Sequence, residues 1–301
     1  MSPHKSAVIG LGAMGMGMAQ SAHAAGLQTV GMDINPAAME TLAATGATIA
    51  ETPAKAAAGA DSLTVVVVNA AQTEAVLFGD NGAADALPEG AVVLGCATVP
   101  AETCRQIAAR VEERGLFYLD APISGGAAKA VRGELTVMAS GASAAFDRAK
   151  PFLDATSETV FDLGREAGQG STMKMVNQLL AGVHIATAME AVALGLKAGL
   201  DAQSIYDVIT QAAGNSWMFG NRVPRVIAGD YQPKSAVGIF TKDLGIVLSE
   251  AERLGIDLPL ATTALTRYQA AADMGLKGED DAAVIKVYAE AAGIDLPEPG
   301  A

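Results

Sequence analysis

Through the first half of the chain, short β-branched apolar runs alternate with Ala-rich stretches. Ser6–Gly10, Thr29–Asp33, Leu63–Asn69, Ala91–Gly95 and Phe117–Asp120 are predicted strands. The run Val65-Val66-Val67-Val68 lacks polar alternation, so both of its faces are expected to be buried, as in a parallel sheet covered by helices. Strands alternating with helices imply βαβ units and a doubly wound parallel sheet. Glu134–Ser140 and Thr159–Leu163 are expected as further strands at the end of this region.

The pattern changes near Gly164. From Gly168 to Leu200 it predicts a single helix of about 30 residues, roughly 45 Å long at 1.5 Å per residue. More helices follow, over Ala202–Ala213, Asn221–Ile227, Phe240–Leu254, Pro259–Met274 and Ala282–Ala292, with Pro224 marking a break or a helix start. The expected fold is therefore an α/β Rossmann domain, residues 1–164, joined by a long helix to an all-α domain, residues 165–301, with a cleft shared between them. The Pro- and Gly-rich tail after Leu296 is expected to fray.

Composition narrows the function. The 301 residues carry a formal charge of −13, which repels nucleic-acid phosphates, so nucleic-acid partners are not expected. An acid substrate would need a local basic site. Cys96 and Cys104 lack metal-ligand spacing and are read as buried or idle thiols, and the scattered His4, His23 and His184 build no metal site. The N-terminus imitates a signal peptide, but Gly10, Gly12, Gly15 and Gly17 interrupt its apolar stretch. The apolar segment Leu179–Leu200 carries His184, Glu190 and Lys197, which argues against a membrane span. A cytoplasmic location is the expectation.

Gly10-Leu11-Gly12-Ala13-Met14-Gly15 follows the first strand and opens a helix. Gly10 would allow the tight turn, Gly12 the approach of backbone to a pyrophosphate, and Gly15 close packing of helix on strand. The helix N-terminus adds unpaired N–H groups and a positive dipole. Asp33, 18 residues beyond Gly15, would accept from ribose hydroxyls and repel a 2′-phosphate; no Arg follows it. This favours NAD over NADP, although Asp33 could equally serve as a turn acid before Asn35-Pro36. Asn69 and Thr98, at the ends of later strands, are candidates to contact ribose or nicotinamide; Thr98 could instead cap the helix that starts near Pro100.

Two segments could carry chemistry. Ser124, Gly125 and Gly126 would expose a hydroxyl and several N–H groups in one small concavity, a carboxylate or oxyanion cradle, or else an ordinary Gly-rich turn. Lys174 and Asn177 lie three residues apart on the long helix, hence on one face, among Met173, Met175, Val176, Leu179 and Leu180. A lysine among apolar groups has its charged form disfavoured and becomes a useful general base, whereas on an open helix face it would snorkel to water. Alcohol oxidation needs such a base to take the hydroxyl proton.

At these motifs the chain resembles the β-hydroxyacid dehydrogenases. The resemblance covers nearly the whole chain and rests on the Gly10–Gly15 loop, on Asp120-Ala121-Pro122-Ile123-Ser124-Gly125-Gly126, on Gly168 through Lys174 with Asn177, and on Lys242-Asp243-Leu244. It implies an NAD-dependent dehydrogenase acting on a small hydroxycarboxylate as a homodimer or homotetramer. Lys174 is similar to the family's catalytic lysine, Asn177 to its hydroxyl-orienting partner, and Ser124, Gly125 and Gly126 to its substrate-carboxylate loop. Thr98 matches the cofactor-contacting Ser/Thr, and Lys242 the lysine beside cofactor and substrate, unless it merely pairs with Asp243. Gln20-Ser21 stand where many members have Asn-Leu, and Asn69 where members often have Leu or Pro. Trp217, flanked by Asn215 and Ser216, suits the polyhydroxylated tail of a substrate better than a branched alkyl one. Two other classes compete: an imine reductase on the same scaffold, against which Lys174 speaks because that branch lacks the lysine, and a non-catalytic NAD-binding scaffold.

Overall fold

The computed structural model describes residues 4–298. The final residues of the tail discussed above, 299–301, lie outside them. The chain divides into two compact units, Met1–Lys174 and Met175–Ala301.

The first unit is built on six parallel strands: β1 (Lys5–Ile9), β2 (Gln28–Met32), β3 (Thr48–Ile49), β4 (Ser62–Val65), β5 (Val92–Gly95) and β6 (Phe117–Asp120). Their order is β3-β2-β1-β4-β5-β6, so strand order reverses beside β1. This is the doubly wound Rossmann arrangement, with the reversal at the position where such folds bind dinucleotides. Ile9 pairs with both Met32 and Val65, which aligns the carboxyl ends of β2, β1 and β4. Helices α1 (Ala13–Ala24), α2 (Pro36–Ala43), α3 (Pro53–Ala57), α4 (Ala70–Phe78) and α5 (Ala101–Glu112) make the connections. Two apolar layers, one around Leu63, Val93 and Ile107 and one around Val8, Leu94 and Leu119, flank the sheet.

The valine run behaves differently from expectation. Pairing stops at Val65, and Val68 is 49% exposed. Val66 and Val67, beyond the last ladder pair, are half-buried and still pack on the two apolar layers, so full burial ends with the strand and exposure begins at Val68. The two late strands are present as β8 (Leu135–Ala139) and β9 (Ser157–Asp162), but in a separate three-stranded sheet. Its third member is β7 (Ile123–Ser124), antiparallel to β8. Between these strands run α6 (Ala127–Arg132) and α7 (Ser143–Thr156).

Helix α1 packs directly on α6. A Cβ added at Gly17 would come within 2.7 Å of Ala130 Cβ and of the Val131 nitrogen. Only a residue without a side chain lets the two helices lie this close.

The long helix is α8 (Gln169–Lys197). By length and composition it could cross a membrane, but Ile185, Met189 and Val192 are fully buried, and its second half forms the core of the second unit. Around it are α9 (Ala202–Ile209), α10 (Trp217–Ile227), α11 (Val237–Leu254), α12 (Pro259–Asp273) and α13 (Ile285–Ala292). Helix α10 starts earlier than predicted because Ser216 caps it, its Oγ accepting from Phe219 N–H at 3.0 Å. Pro224 neither starts nor ends this helix but lies inside it. It withdraws the N–H that would meet the Gly220 carbonyl, and the Tyr206 hydroxyl approaches that oxygen at 3.5 Å instead. Tyr206 also stacks on Phe219, which ties α9 to α10.

Two buried ion pairs fasten α10 to the segment before α13. Arg222 donates to Asp281 from Nε at 2.5 Å and from Nη2 at 2.9 Å, while Arg225 pairs with Asp280. Both aspartates are fully buried. Burial pushes the Asp281 carboxyl upward against the pull of Arg222. Removing one partner strands the other charge in a poorly solvating environment. Arg222→Met should therefore cost about 3–5 kcal/mol in urea unfolding, and the double change Arg222→Met with Asp281→Leu should recover most of it. Equal losses in the single and double variants would show that the pair is not the source of the cost.

Candidate active site

The glycine loop lies at the reversal of strand order. At Gly10 the chain takes φ +94°, and a Cβ there would come within 2.3 Å of the Val66 carbonyl oxygen. A Cβ at Gly15 would come within 1.8 Å of the Gly10 oxygen. These two positions admit no side chain, whereas one at Gly12 would meet no atom within 4 Å among the described residues. Gly12 is the N-cap of α1, and no side chain caps this end among the described residues. Leu11 lies buried beneath the loop; Ala13 and Met14 form the first turn of α1.

Asp33 stands beside this loop just beyond β2. Its Oδ2 accepts from Leu11 N–H at 2.6 Å and its Oδ1 from Asn35 N–H at 2.7 Å. Ile34, next to it, is 91% exposed. A free helix N-terminus, an open approach over Gly12 and a carboxylate fixed at the edge fit an adenine dinucleotide.

Asn69 caps α4, with Oδ1 accepting from Gln72 N–H at 2.9 Å, so that oxygen already has a structural task. The N-cap position of α5 is Pro100, two residues beyond Thr98. Thr98 is half-buried just beyond β5, on the same edge of the sheet as the glycine loop.

Ser124 ends β7 and pairs with Thr136 of β8. Gly125 and Gly126 follow with φ of +132° and +80°, and Gly126 starts α6. The Gly17–Ala130 contact therefore joins the helix of the glycine loop to the helix that leaves the serine loop.

The Lys174 amine donates to the Ile123 carbonyl at 2.9 Å. The half-buried side chain thus ends on the backbone one residue before Ser124. Asn177 lies one turn further along α8, and its Nδ2 donates to Gln178 Oε1 at 2.9 Å. Gln178 Nε2 in turn donates to Asp243 Oδ2 at 2.5 Å. Because a carboxylate only accepts, this fixes both amides in sequence and leaves Asn177 Oδ1 as an acceptor. Lys242 pairs with Asp243 Oδ1 at 2.5 Å. The pairing considered for Lys242 from sequence thus exists, on a carboxylate shared with Gln178.

Trp217, the first residue of α10, is 60% exposed. Its polar neighbours serve the backbone: Ser216 caps α10, and Asn215 Nδ2 donates to the Thr210 carbonyl at 3.2 Å.

Sequence reasoning assigned no role to Asp120, Ser140 or Gln178, and gave Asp243 only as a partner for Lys242. Asp120, the last residue of β6, is 1% exposed. Its Oδ2 accepts from Gly168 N–H at 2.9 Å and Ser171 N–H at 2.8 Å, and its Oδ1 accepts from the Ser171 hydroxyl at 2.8 Å. Burial raises its carboxyl above the ordinary range, opposed by these donors. Cys96 and Cys104 are both buried; burial pushes the Cys96 thiol up to about 12 and Cys104 further in the same direction, so neither is a ready nucleophile.

Residues 5–164 match the NAD binding domain of 6-phosphogluconate dehydrogenase, and residues 168–288 match the NAD-binding domain of NADP-dependent 3-hydroxyisobutyrate dehydrogenase. L-threonate dehydrogenase of Haemophilus influenzae is 51% identical over 296 residues, 98% of this chain and 97% of its own length. The 2-(hydroxymethyl)glutarate dehydrogenase of Eubacterium barkeri is 31% identical over 97% of each chain. Among solved structures, 3-hydroxyisobutyrate dehydrogenase from Salmonella typhimurium superposes with a TM-score of 0.91 at 49% identity, covering 94% of this chain and 99% of that one.

Fold and matches together define an NAD-dependent hydroxyacid oxidoreductase. Within that class, the chain belongs to the 3-hydroxyisobutyrate dehydrogenase family of β-hydroxyacid dehydrogenases.

The open space over Gly12 generates a test. Gly12→Val should lower stability by no more than about 1 kcal/mol, the scale of a lost helix cap, while weakening NAD binding at least tenfold. Thermal unfolding without ligand and a fluorescence titration with NAD separate the two effects; unchanged NAD affinity would remove the pyrophosphate from this loop.

Proposed function

We propose that this enzyme oxidises the C2 hydroxyl of L-threonate to 2-oxo-tetronate, with Lys174 as general base. The observation that carries the chemistry is the Lys174 amine held at the Ile123 carbonyl, one residue from Ser124. The substrate assignment draws on relatives from Haemophilus influenzae and Pectobacterium atrosepticum, both L-threonate dehydrogenases, at 51% and 50% identity over nearly the full length.

In this scheme Ser124, Gly125 and Gly126 receive the substrate carboxylate through the serine hydroxyl and backbone N–H groups, and Lys242 or Lys174 offsets its charge. Lys174, neutral when it acts, accepts the hydroxyl proton. Asn177 Oδ1, fixed as an acceptor by Gln178 and Asp243, orients that hydroxyl. Trp217 borders the hydroxylated tail. Residues 10–15 hold the pyrophosphate, Asp33 the adenosine ribose, and Asn69, Thr98 and Lys242 the remainder of NAD. The bound dinucleotide supplies the hydride acceptor for the carbinol carbon. The Asp33 carboxylate, with Ile34 and Asn35 after it, favours NAD over a 2′-phosphorylated cofactor.

In this scheme residues 1–164 bind NAD and residues 165–301 serve substrate binding and subunit association. The exposed Leu194, Leu200, Val208, Leu254 and Leu260 of the second unit are surface that a homodimer or homotetramer would cover. The cytoplasm, where NAD is plentiful and Cys96 and Cys104 stay reduced, suits such an enzyme.

A second substrate assignment, 3-hydroxyisobutyrate, has the Salmonella structure named for that activity in its favour. Tartronate semialdehyde reduction is the third assignment, within the same family. NADH formation across L-threonate, D-threonate, D-erythronate, D-glycerate and 3-hydroxyisobutyrate decides among these oxidations; L-threonate should give the highest kcat/KM. Lys174→Ala should lower kcat at least a thousandfold while NAD still binds. Retention of most of kcat would remove Lys174 as the base.

A further inference from the structure

We propose that Asp120 is the positioning residue for Lys174: its carboxylate seats the first turn of α8 on the end of β6 and so sets where the lysine amine meets the Ile123 carbonyl. The inference rests on the assignment of Lys174 as general base.

Asp120 is itself held on both sides. It pairs with Gly95 in the six-stranded sheet, and it exchanges backbone hydrogen bonds with Ser140, Asp120 N–H to Ser140 O at 3.0 Å and Ser140 N–H to Asp120 O at 2.9 Å. From this fixed backbone the carboxylate takes the N–H groups of Gly168 and Ser171 and the Ser171 hydroxyl. Ser140 Oγ takes the Gly170 N–H at 3.0 Å. Two side chains on adjoining strands thus satisfy three N–H groups at the start of α8, where no earlier turn exists to accept them. Gly170 completes the seat: a Cβ there would come within 2.3 Å of the Met138 oxygen and 2.9 Å of the Asp120 oxygen.

Lys174 leaves the helix one turn after Ser171. Both ends of its side chain therefore refer to one short stretch of chain, the Cα through Asp120 at the end of β6 and the Nζ through Ile123 at the start of β7. An error at the Asp120 seat would be delivered to the amine, and a misplacement of about 1 Å can cost a hundredfold in rate. Each bond to the Asp120 side chain comes from a donor, so the residue must accept at both oxygens. An asparagine of the same shape would turn an NH2 toward at least one N–H or O–H group.

The test is Asp120→Asn beside Ser140→Ala and Lys174→Ala. For Asp120→Asn we expect kcat for the hydroxyacid to fall about 10- to 100-fold, with the NAD dissociation constant within about threefold of wild type. Hydrogen–deuterium exchange should accelerate in residues 168–175 and not in β1 or α1. Ser140→Ala, which removes the acceptor for Gly170 N–H and the Ser140 hydroxyl's own 3.4 Å bond to Asp120 Oδ2, should show the same pattern at a few-fold loss, and it carries the test if Asp120→Asn does not fold. A kcat within twofold of wild type, or a fall in kcat matched by equal loss of NAD binding and faster exchange throughout the first unit, overturns the positioning role. If Lys174→Ala keeps most of kcat, the base assignment is what fails. If Lys174→Ala is inactive while Asp120→Asn and Ser140→Ala are normal, only the positioning role fails.

Discussion

A parallel sheet delivers the carboxyl ends of all its strands to one edge, and the chemistry of this chain depends on that constraint. With β1 paired on one side to β2 and on the other to β4, the chain leaves β1 at Gly10 where neighbouring connections diverge to opposite faces. The space so opened is bounded by backbone. Gly10 and Gly15 are compressed against their surroundings while Gly12 faces open space, so a single loop combines tight packing with an unobstructed approach for phosphates. Asp33 and Thr98 stand on the same edge because their strands end there too.

The second constraint is the long helix. A segment as apolar as α8 has little preference about its own rotation, since it could bury almost any face. Polar contacts decide its setting at the start: Asp120 and Ser140 take the N–H groups of its first turn, and Lys174 returns to Ile123. Further along, Asp243 orders Gln178 and Asn177 into fixed donors and acceptors. Buried polar groups of this kind add modest net stability, but they discriminate sharply between one placement and its near neighbours.

The sheet, the glycine loop and the long helix were legible in the sequence because each is a local pattern: alternation of strand and helix, a motif in its context, a sustained apolar segment. What escaped is non-local. Ile123-Ser124 is too short to announce a strand and becomes one only because β8 lies beside it. The valine run read as buried throughout, but its ladder pairs end at Val65, and nothing in Val66–Val68 marks that end. That Asn69 also caps α4 is a second role for a candidate contact, and the sequence reading did not assign it. Asp120 was visible within a motif, yet its partners Ser140, Gly168 and Ser171 stand 20, 48 and 51 residues away. Periodicity cannot report a carboxylate whose role is set by elements so distant.

The contact of Gly17 with Ala130 carries a consequence for how such an enzyme can diversify. Because the helix behind the nucleotide loop and the helix behind the serine loop touch through a missing side chain, neither can be re-angled alone. A side chain introduced at Gly17 would have to be met by a matching change at Ala130 or Val131, so substitutions at this contact of the two helices are tolerated only in pairs.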